Sequence, residues 1–565
     1  MIQKIKEWVW INEKIVLALF VLLFILIRLP GTGLPLHQDE YKWPKIVNPA
    51  VDGFVPHPPV GQFIYRTAGY LVGFDTDFRF VPLFFGAINL VLLYYFVRFL
   101  FGRREALVAS AIWIISYFSV LASLMVDTDG EIMPFFFLLA LIGYFKLRFV
   151  NFSFQKSHLK WWAVLLLACV GGFLVKVSFL LVVGAIVADF LWLKRNLFTR
   201  RDLLKYGLYF ISGLVFLTIL LFLIKFIFPF FQLDKSLVYW KHFLVGFGDR
   251  GWFQTAIQCV KAILYSSPLL ILVPMFKSGK DFSKLRLFMF FLAFSFIFYV
   301  ILFDFSIGAL DRYWQLLIVP LTVITSATLI SVLSGENSRH TKKVFLLGVC
   351  VAVFFVLLQF IPHFIPSLHP KSEWVSRALS FRWNFVYPFS GGSGPLGFYV
   401  SFLFMTLSWI VSILALVFAW WKPQYKKLAL IFLIPVGLVY NGVFIEEYLV
   451  GYWNGYAPAL VHNAVDFMKN NPSVSMVTAY NDNGGNEIQS IGKYKRRLYV
   501  DPKFTGQLDY LNKNKGFYFV LDVPRLDPKS FYPVYFNSCI SIYNEVDKKM
   551  SATVFDCRKA PDVKI

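Results

Sequence analysis

Charge is scarce in this 565-residue chain: Asp, Glu, Lys and Arg together make up 16% of it, against roughly 25% in an ordinary soluble domain. Acid is scarcer than base, 33 residues against 55, for a formal charge of +22. Cysteine is nearly absent, with five residues in all. Cys169, Cys259 and Cys350 fall in apolar runs without metal-ligand spacing, so they read as small core residues and not as a zinc framework. The glycine-rich stretches lack the lysine-serine pair of a nucleotide-binding P-loop. No small-residue cleavage site follows the apolar run at 15–30, which therefore reads as a retained helix.

What the chain has instead is apolar and aromatic side chain: 58% hydrophobic and 19% aromatic residues, with a mean hydropathy of +0.62. These values place it among polytopic α-helical membrane proteins. Runs of spanning length occur near 15–30, 81–101, 106–125, 131–147, 161–175, 178–193, 206–228, 256–276, 287–304, 314–333, 343–362, 398–421 and 427–445, which predicts about thirteen transmembrane helices. The positive charge is unevenly spread. Residues 1–445 hold about 40 Lys/Arg against about 20 Asp/Glu, and 446–565 about 15 against 13, the asymmetry of positive-inside sorting and not of a nucleic-acid surface. Basic connections at Lys4 to Lys14, Arg98 to Arg104, Lys146 to Lys160, Lys194 to Lys205, Lys277 to Arg286, Arg339 to Lys343 and Lys422 to Lys427 alternate with basic-poor loops. This predicts a plasma-membrane protein with a cytoplasmic N-terminus and an extracytoplasmic C-terminal part. The outer side receives the loops at 31–80 and 363–397, and no solenoid-type repeat is apparent.

The membrane domain is expected to cover 1–445, and 446–565 to form a small extracytoplasmic α/β domain. Pro458 to Asn470 and Gly506 to Asn514 read as helices. Val474 to Tyr480, Phe517 to Val523, Ser538 to Tyr543 and Ala552 to Phe555 read as strands. Asn481 to Asn486 is a turn, with a ligand loop as the second reading. Cys539 and Cys557 can pair as a disulfide if this part is exported.

The less ordinary chemistry collects in the outer loops. Leu36 to Gly61 opens with adjacent carboxylates, Asp39 and Glu40, and closes with His57 among Pro56, Pro58 and Pro59, a stiff backbone able to aim a side chain. Val126-Asp127-Thr128-Asp129-Gly130-Glu131 forms a short outer turn with three more carboxylates. Aspartates two apart with another carboxylate nearby, here Asp39, Asp127 and Asp129, suit a hard divalent cation or the hydroxyls of a bound sugar. Lys176 lies amid apolar sequence at the outer end of its helix, where a lysine either snorkels or serves as countercharge. Arg312 begins the tenth helix outside, and a guanidinium binds phosphate oxygens bidentately. The loop with His363, His369, Lys371, Glu373 and Arg377 reads as a cover, with a hinge at Ser390 to Pro395.

In order and spacing these pieces resemble the GT-C membrane glycosyltransferases, in the branch of the dolichyl-phosphate-mannose protein mannosyltransferases and the bacterial aminoarabinose lipid A transferases. The motifs are Asp39-Glu40 after the first helix, His57-Pro58-Pro59, Phe101 to Arg104, Asp129 to Ile132 leading into the fourth helix, Leu174 with Lys176, and Arg312-Tyr313 followed by Pro320. His57 stands where the aminoarabinose transferases carry lysine, which leaves the sugar open. The resemblance implies a polyprenyl-phosphate-sugar donor and an inverting transfer to a protein, lipid or glycan acceptor on the exported face. It implies Asp39 as general base, with Lys176, Arg312 and His57 neutralising the departing lipid phosphate. Glu40, Asp127 and Asp129 would hold sugar hydroxyls, a metal, or the position of Asp39. The competing reading is a transporter or flippase of a lipid-linked or anionic substrate, which predicts paired broken helices near the midplane.

Overall fold

The computed structural model describes residues 12–36, 40, 42–49, 54–74, 76, 78–195, 200–244, 251–276, 282–302, 314–334, 340–361, 373–383, 397–498, 505–523 and 525–563. The first half runs through α1 (Glu13–Arg28), α2 (Lys42–Val47), α3 (Pro59–Val72), α4 (Phe80–Leu100), α5 (Arg103–Ile115), α6 (Tyr117–Leu124), α7 (Ile132–Phe149), α8 (Leu159–Val175), α9 (Leu180–Lys194) and α10 (Arg200–Ile227). It continues with α11 (Leu233–Leu244), α12 (Trp252–Ser266), α13 (Pro268–Leu272), α14 (Phe282–Ile297), α15 (Ile318–Leu333), α16 (Thr341–Leu357), α17 (Trp374–Leu379), α18 (Phe402–Trp421) and α19 (Lys426–Leu449). Among the described residues nine helices are long and apolar enough to cross a membrane, or up to eleven if each of two bent pairs is one span. The shorter apolar stretch Ile211–Ile227 and α16 fall on the two remaining runs expected from sequence.

Two segments expected as single helices are broken. The run 106–125 bends by 63° between α5 and α6, and 256–276 bends by 105° between α12 and α13. One side chain serves both breaks. Asn441 on α19 accepts from the Tyr117 backbone N–H through Oδ1 (3.0 Å) and donates through Nδ2 to Ser267 Oγ (2.9 Å). Ser267 sits at φ +95°, a left-handed conformation that a serine adopts only when its surroundings hold it there. With no water in the bilayer core, backbone groups released at a break need such a partner. The Ile114 carbonyl, beside the first break, accepts from Arg28 Nη1 at 3.2 Å.

Ion pairs fix which helix ends lie together. Arg98 and Arg103 reach Glu13 at 2.6 and 3.8 Å, joining the start of α1 to the α4–α5 turn. Asp189 on α9 is held by Arg148 at the end of α7 (3.1 Å) and by Arg286 at the start of α14 (2.7 Å). Chain alternation then puts the turns at 125–131 and 176 at the opposite end of the bundle from these pairs.

The outer segment 31–80, expected as an irregular loop, contains α2 and α3. Pro59 occupies the first position of α3, where a missing N–H costs nothing. Gly61 lets α3 approach the 127–129 turn, since a Cβ there would meet Thr128 Cγ2 at 2.5 Å.

After α19 the chain turns through Gly451 (φ +63°) and Gly455 (φ +112°); a Cβ on Gly455 would meet the Asp547 carbonyl at 2.4 Å. There follow α20 (Ala457–Asn470), β1 (Val477–Tyr480), α21 (Gly485–Ser490), β2 (Tyr494–Leu498), α22 (Thr505–Lys513), β3 (Phe517–Leu521), α23 (Phe531–Asn537), β4 (Ile540–Asp547) and β5 (Met550–Asp556). The sheet order is β2-β1-β3-β5-β4. β1 is parallel to both β2 and β3, and β5 is antiparallel to β3 and β4. Strand side chains alternate between two layers. Val477, Ala479, Phe517, Phe519 and Leu521 pack with α20 in a core continuous with the membrane helices. Tyr480, Tyr518 and Val520 pack with Tyr532, Tyr535 and Phe536 of α23. Cys539 and Cys557 form a disulfide beside the paired ends of β4 and β5.

The sheet is docked onto the membrane helices by hydrogen bonds. Tyr399 Oη donates to the Asp522 carbonyl at 2.8 Å, and Asn454 Nδ2 donates to the Tyr399 carbonyl at 2.9 Å. Leu36, eight residues beyond α1, donates its backbone N–H to Glu487 Oε1 on α21 at 3.1 Å.

Candidate active site

The site is built around the turn between α6 and α7. Asp127 Oδ1 accepts from the Thr128 backbone N–H at 2.6 Å, closing the turn, and the Asp127 carbonyl accepts from Tyr65 Oη on α3 at 3.0 Å. Burial, with Asp127 and Glu40 nearby, pushes the Tyr65 phenol well above its usual range and keeps it a donor. Gly130 lies against α6 so closely that a Cβ would meet the Ala122 carbonyl at 2.5 Å.

Asp129 points from this turn to Lys176, and Nζ meets Oδ2 at 2.5 Å in a largely buried ion pair. Lys176 is the extended residue (φ −157°, ψ 136°) between α8 and the 3-10 turn that starts α9. The break turns its side chain out of helical register, so it meets the aspartate of a neighbouring turn.

Glu40 is the third carboxylate at this place. It is buried and paired with Arg79, with Nη1 to Oε1 at 3.0 Å and Nη2 to Oε2 at 3.3 Å. Its Oε1 also accepts the Val126 backbone N–H at 3.0 Å. Arg79 spends its other donors on backbone carbonyls: Leu34 at 2.9 Å, Pro35 at 2.8 Å, and Leu124. One guanidinium therefore ties the chain on both sides of segment 37–39 to the end of α6.

His57 lies in the extended stretch before α3, its ring stacked on Trp43 at 6.3 Å between centroids, and Trp43 in turn contacts Tyr65 at 4.9 Å. Trp240 on α11 donates to the Pro56 carbonyl at 2.7 Å, and Gln62 Nε2 lies 3.4 Å from the Val55 and His57 carbonyls.

The structure thus brings Glu40, Asp127, Asp129, Lys176 and the His57 segment to one end of the bundle. Asp39 and Arg312, named from sequence as base and phosphate ligand, lie outside the described residues, as do His363, His369, Lys371 and Ser390 to Pro395. Glu131, the last carboxylate of the turn, faces into the bundle, where Asn89 Nδ2 donates to its Oε2 at 2.6 Å. Among the described residues no three His, Cys, Asp or Glu side chains converge as a metal site; the third member of the set Asp39, Asp127 and Asp129 is not among those residues. Arg79, Tyr65 and Glu487 were not foreseen. Arg79 follows Asp77 and Phe78 in an unremarkable loop, and its partners lie 39 to 45 residues away.

Spanning helices, an acidic and basic cluster at one end and a sheet docked over that end define a multi-pass membrane protein with the GT-C fold. Residues 56–224 match the family model for dolichyl-phosphate-mannose-protein mannosyltransferase. Among solved structures it is similar to ArnT from Cupriavidus metallidurans bound to undecaprenyl phosphate, at 12% identity and a TM-score of 0.52, covering 97% of this chain and 99% of that one. The apo state of that protein matches with a TM-score of 0.50 over the same shares, again at 12% identity. The oligosaccharyltransferase of Archaeoglobus fulgidus in its apo form matches at 10% identity and a TM-score of 0.45, covering 91% of this chain and 70% of that one. No curated protein matches the chain.

Proposed function

We propose that this protein transfers a sugar from a polyprenyl-phosphate donor to an acceptor hydroxyl at the membrane face that carries Glu40, Asp129 and Lys176. One observation carries the reading: Glu40 binds the Val126 N–H of the turn whose Asp129 holds Lys176. Asp39 directly precedes Glu40 in the sequence. Asp39 removes the acceptor hydroxyl proton, the oxygen attacks the anomeric carbon, and the bond from that carbon to the phosphate oxygen breaks. The phosphate leaves on its lipid with inversion at the sugar. Lys176, together with Arg312 and His57, neutralises the charge that develops on it. The Asp127–Asp129 turn holds sugar hydroxyls or a divalent cation, and loss of transfer in EDTA distinguishes the two.

The donor class is supported by the undecaprenyl phosphate bound to the structurally similar ArnT. It is also supported by an apolar cavity of about 210 Å³ between helices, lined by Phe118, Ile263, Leu270, Leu292, Phe296 and Leu321. Its lining suits an isoprenoid tail. The disulfide Cys539–Cys557 supports an extracytoplasmic, oxidising location for the α/β part. The two broken spans fit the transporter alternative, yet both breaks are served by the neutral Asn441, and the charged cluster lies at one end of the bundle.

The test is Asp39→Asn in the full chain, with transfer measured from the lipid-linked sugar fraction extracted from the source membranes. Transfer is expected to fall below detection in a folded protein. Near-normal transfer by that variant removes the reading.

A further inference from the structure

The turn after β1 is left-handed backbone: Asn481, Asp482 and Gly484 have φ of +53°, +61° and +68°, a region that Asn, Asp and Gly enter more readily than other residues. Neighbours hold it there. Tyr494 Oη donates to Asp482 Oδ1 at 2.6 Å, and Asn483 Nδ2 donates to the Val523 carbonyl at 3.3 Å. Gly484 is pressed against α20, where a Cβ would meet Val461 Cγ1 at 2.8 Å. The turn lies at the carboxyl end of the strand flanked by parallel neighbours on both sides, the point of an open α/β sheet where functional side chains gather.

What the turn projects is α21, with Ile488 fully buried in the core and Glu487 beside it. Glu487 Oε1 accepts the Leu36 N–H, and Oε2 is shut off from solvent with no hydrogen bond from another residue. Holding a carboxylate half-satisfied in a buried place is unfavourable, so a contact that needs it there has to compensate. Leu36 is the last described residue before segment 37–39. The preceding carbonyls, Leu34 and Pro35, and the following side chain, Glu40, are all held by Arg79. Glu487 completes this set from a residue 451 positions away in sequence.

We propose that Glu487 is a positioning residue for sugar transfer: from the α/β domain it fixes the backbone at Leu36, three residues before Asp39 in the sequence. The proposal rests on the reading of Asp39 as general base. It makes the exported domain part of the active-site scaffold and not a separate module. Mere interdomain adhesion would predict lost stability; positioning predicts lost turnover with donor binding kept, because the donor phosphate is held by other residues.

The experiment uses the full chain in detergent micelles, with amide hydrogen exchange of peptides covering 34–41 and transfer from the lipid-linked sugar fraction of the source membranes. In the unsubstituted protein the Leu36 amide is expected to be protected; exchange at the rate of a free peptide overturns the proposal without any variant. Glu487→Ala is expected to speed exchange of 34–41 about tenfold or more. It should lower kcat by a similar factor, with the donor KM within about twofold. Glu487→Gln keeps an acceptor oxygen and is expected to restore both. Unchanged exchange in Glu487→Ala, a raised KM at constant kcat, or a Glu487→Gln as impaired as the alanine variant each overturns it. Failure of the base assignment is separately visible: Asp39→Asn with normal transfer removes Asp39 as base, while the exchange measurements still decide whether Glu487 holds the loop.

Discussion

Arg79 and Glu40 form a buried, two-pronged ion pair that fastens the first outer loop to the end of α6. The same guanidinium holds the carbonyls of Leu34, Pro35 and Leu124, so its removal takes the cation from Glu40 and a donor from each of three carbonyls. Breaking a buried pair from one side typically costs about 3–5 kcal/mol. Arg79→Met is therefore expected to lower the thermal unfolding midpoint of the purified chain and to reduce transfer. Arg79→Lys is expected to rescue little, since an ammonium cannot span the same fork of acceptors. The double variant Arg79→Met with Glu40→Met should lose less than the single arginine variant.

Lys176 and Asp129 make the prediction for the donor. Lys176→Ala removes the cation assigned to the lipid phosphate and is expected to weaken binding of undecaprenyl phosphate about tenfold, or ~1.4 kcal/mol. Asp129→Asn removes the charge facing the lysine and should shift donor binding less than it shifts turnover. Titration of each variant with undecaprenyl phosphate checks both; unchanged binding in Lys176→Ala removes it from the phosphate role.

Asn441 ties the two broken spans, and its amide is matched at both atoms. Asn441→Leu is expected to leave the Tyr117 N–H and Ser267 Oγ without this partner, at about 1–3 kcal/mol for each buried group stranded. The loss should appear as a lower thermal midpoint in detergent. Substitution of Ser412, whose hydroxyl bonds within its own helix to the Ser408 carbonyl, is the mild control.

Glu487 supplies a pH dependence. Burial is the largest cause and raises its carboxyl above the usual glutamate range, against the lowering effects of its own backbone N–H, the Leu36 N–H, His462 and Arg79. A carboxyl whose folded pKa is raised contributes stability that is fully present below its unfolded pKa and is lost as pH rises through the folded pKa. Glu487→Gln removes this loss. Its thermal midpoint is expected to match that of the unsubstituted protein near about pH 4 and to exceed it by a growing margin toward about pH 8. An equal offset at both ends would mean that Glu487 does not titrate in this window.

Much of the architecture is legible along the chain. Long apolar runs mark the spans because a helix must bury or expose to lipid about 20 residues at once; short apolar and aromatic runs mark β1 and β3, and alternation marks β5. The break at Ser267 carried a signal, since Pro268 disfavours helix at the residue before it. The break at Ser116 has no Gly or Pro nearby to mark it, and the bend depends on Asn441 and Arg28 from other helices. β2, Tyr-Lys-Arg-Arg-Leu, went unforeseen because an edge strand has little apolar alternation to show. α3 was concealed in a segment whose prolines and acids dominate the local reading.

The site divides in the same way. The carboxylate turn at 126–131, the lysine at 176 and the proline-framed His57 are unusual where they stand, so composition and hydropathy alone single them out. Which carboxylate serves which cation was decided only by the folded chain. Asp129 went to Lys176 and Glu40 to Arg79, while Glu131 took the neutral amide of Asn89 inside the bundle. Hydrophobic burial is additive and written locally, residue by residue. The pairing of buried charges depends on distances of a few ångströms between segments tens to hundreds of residues apart, and those distances exist only once the helices have packed.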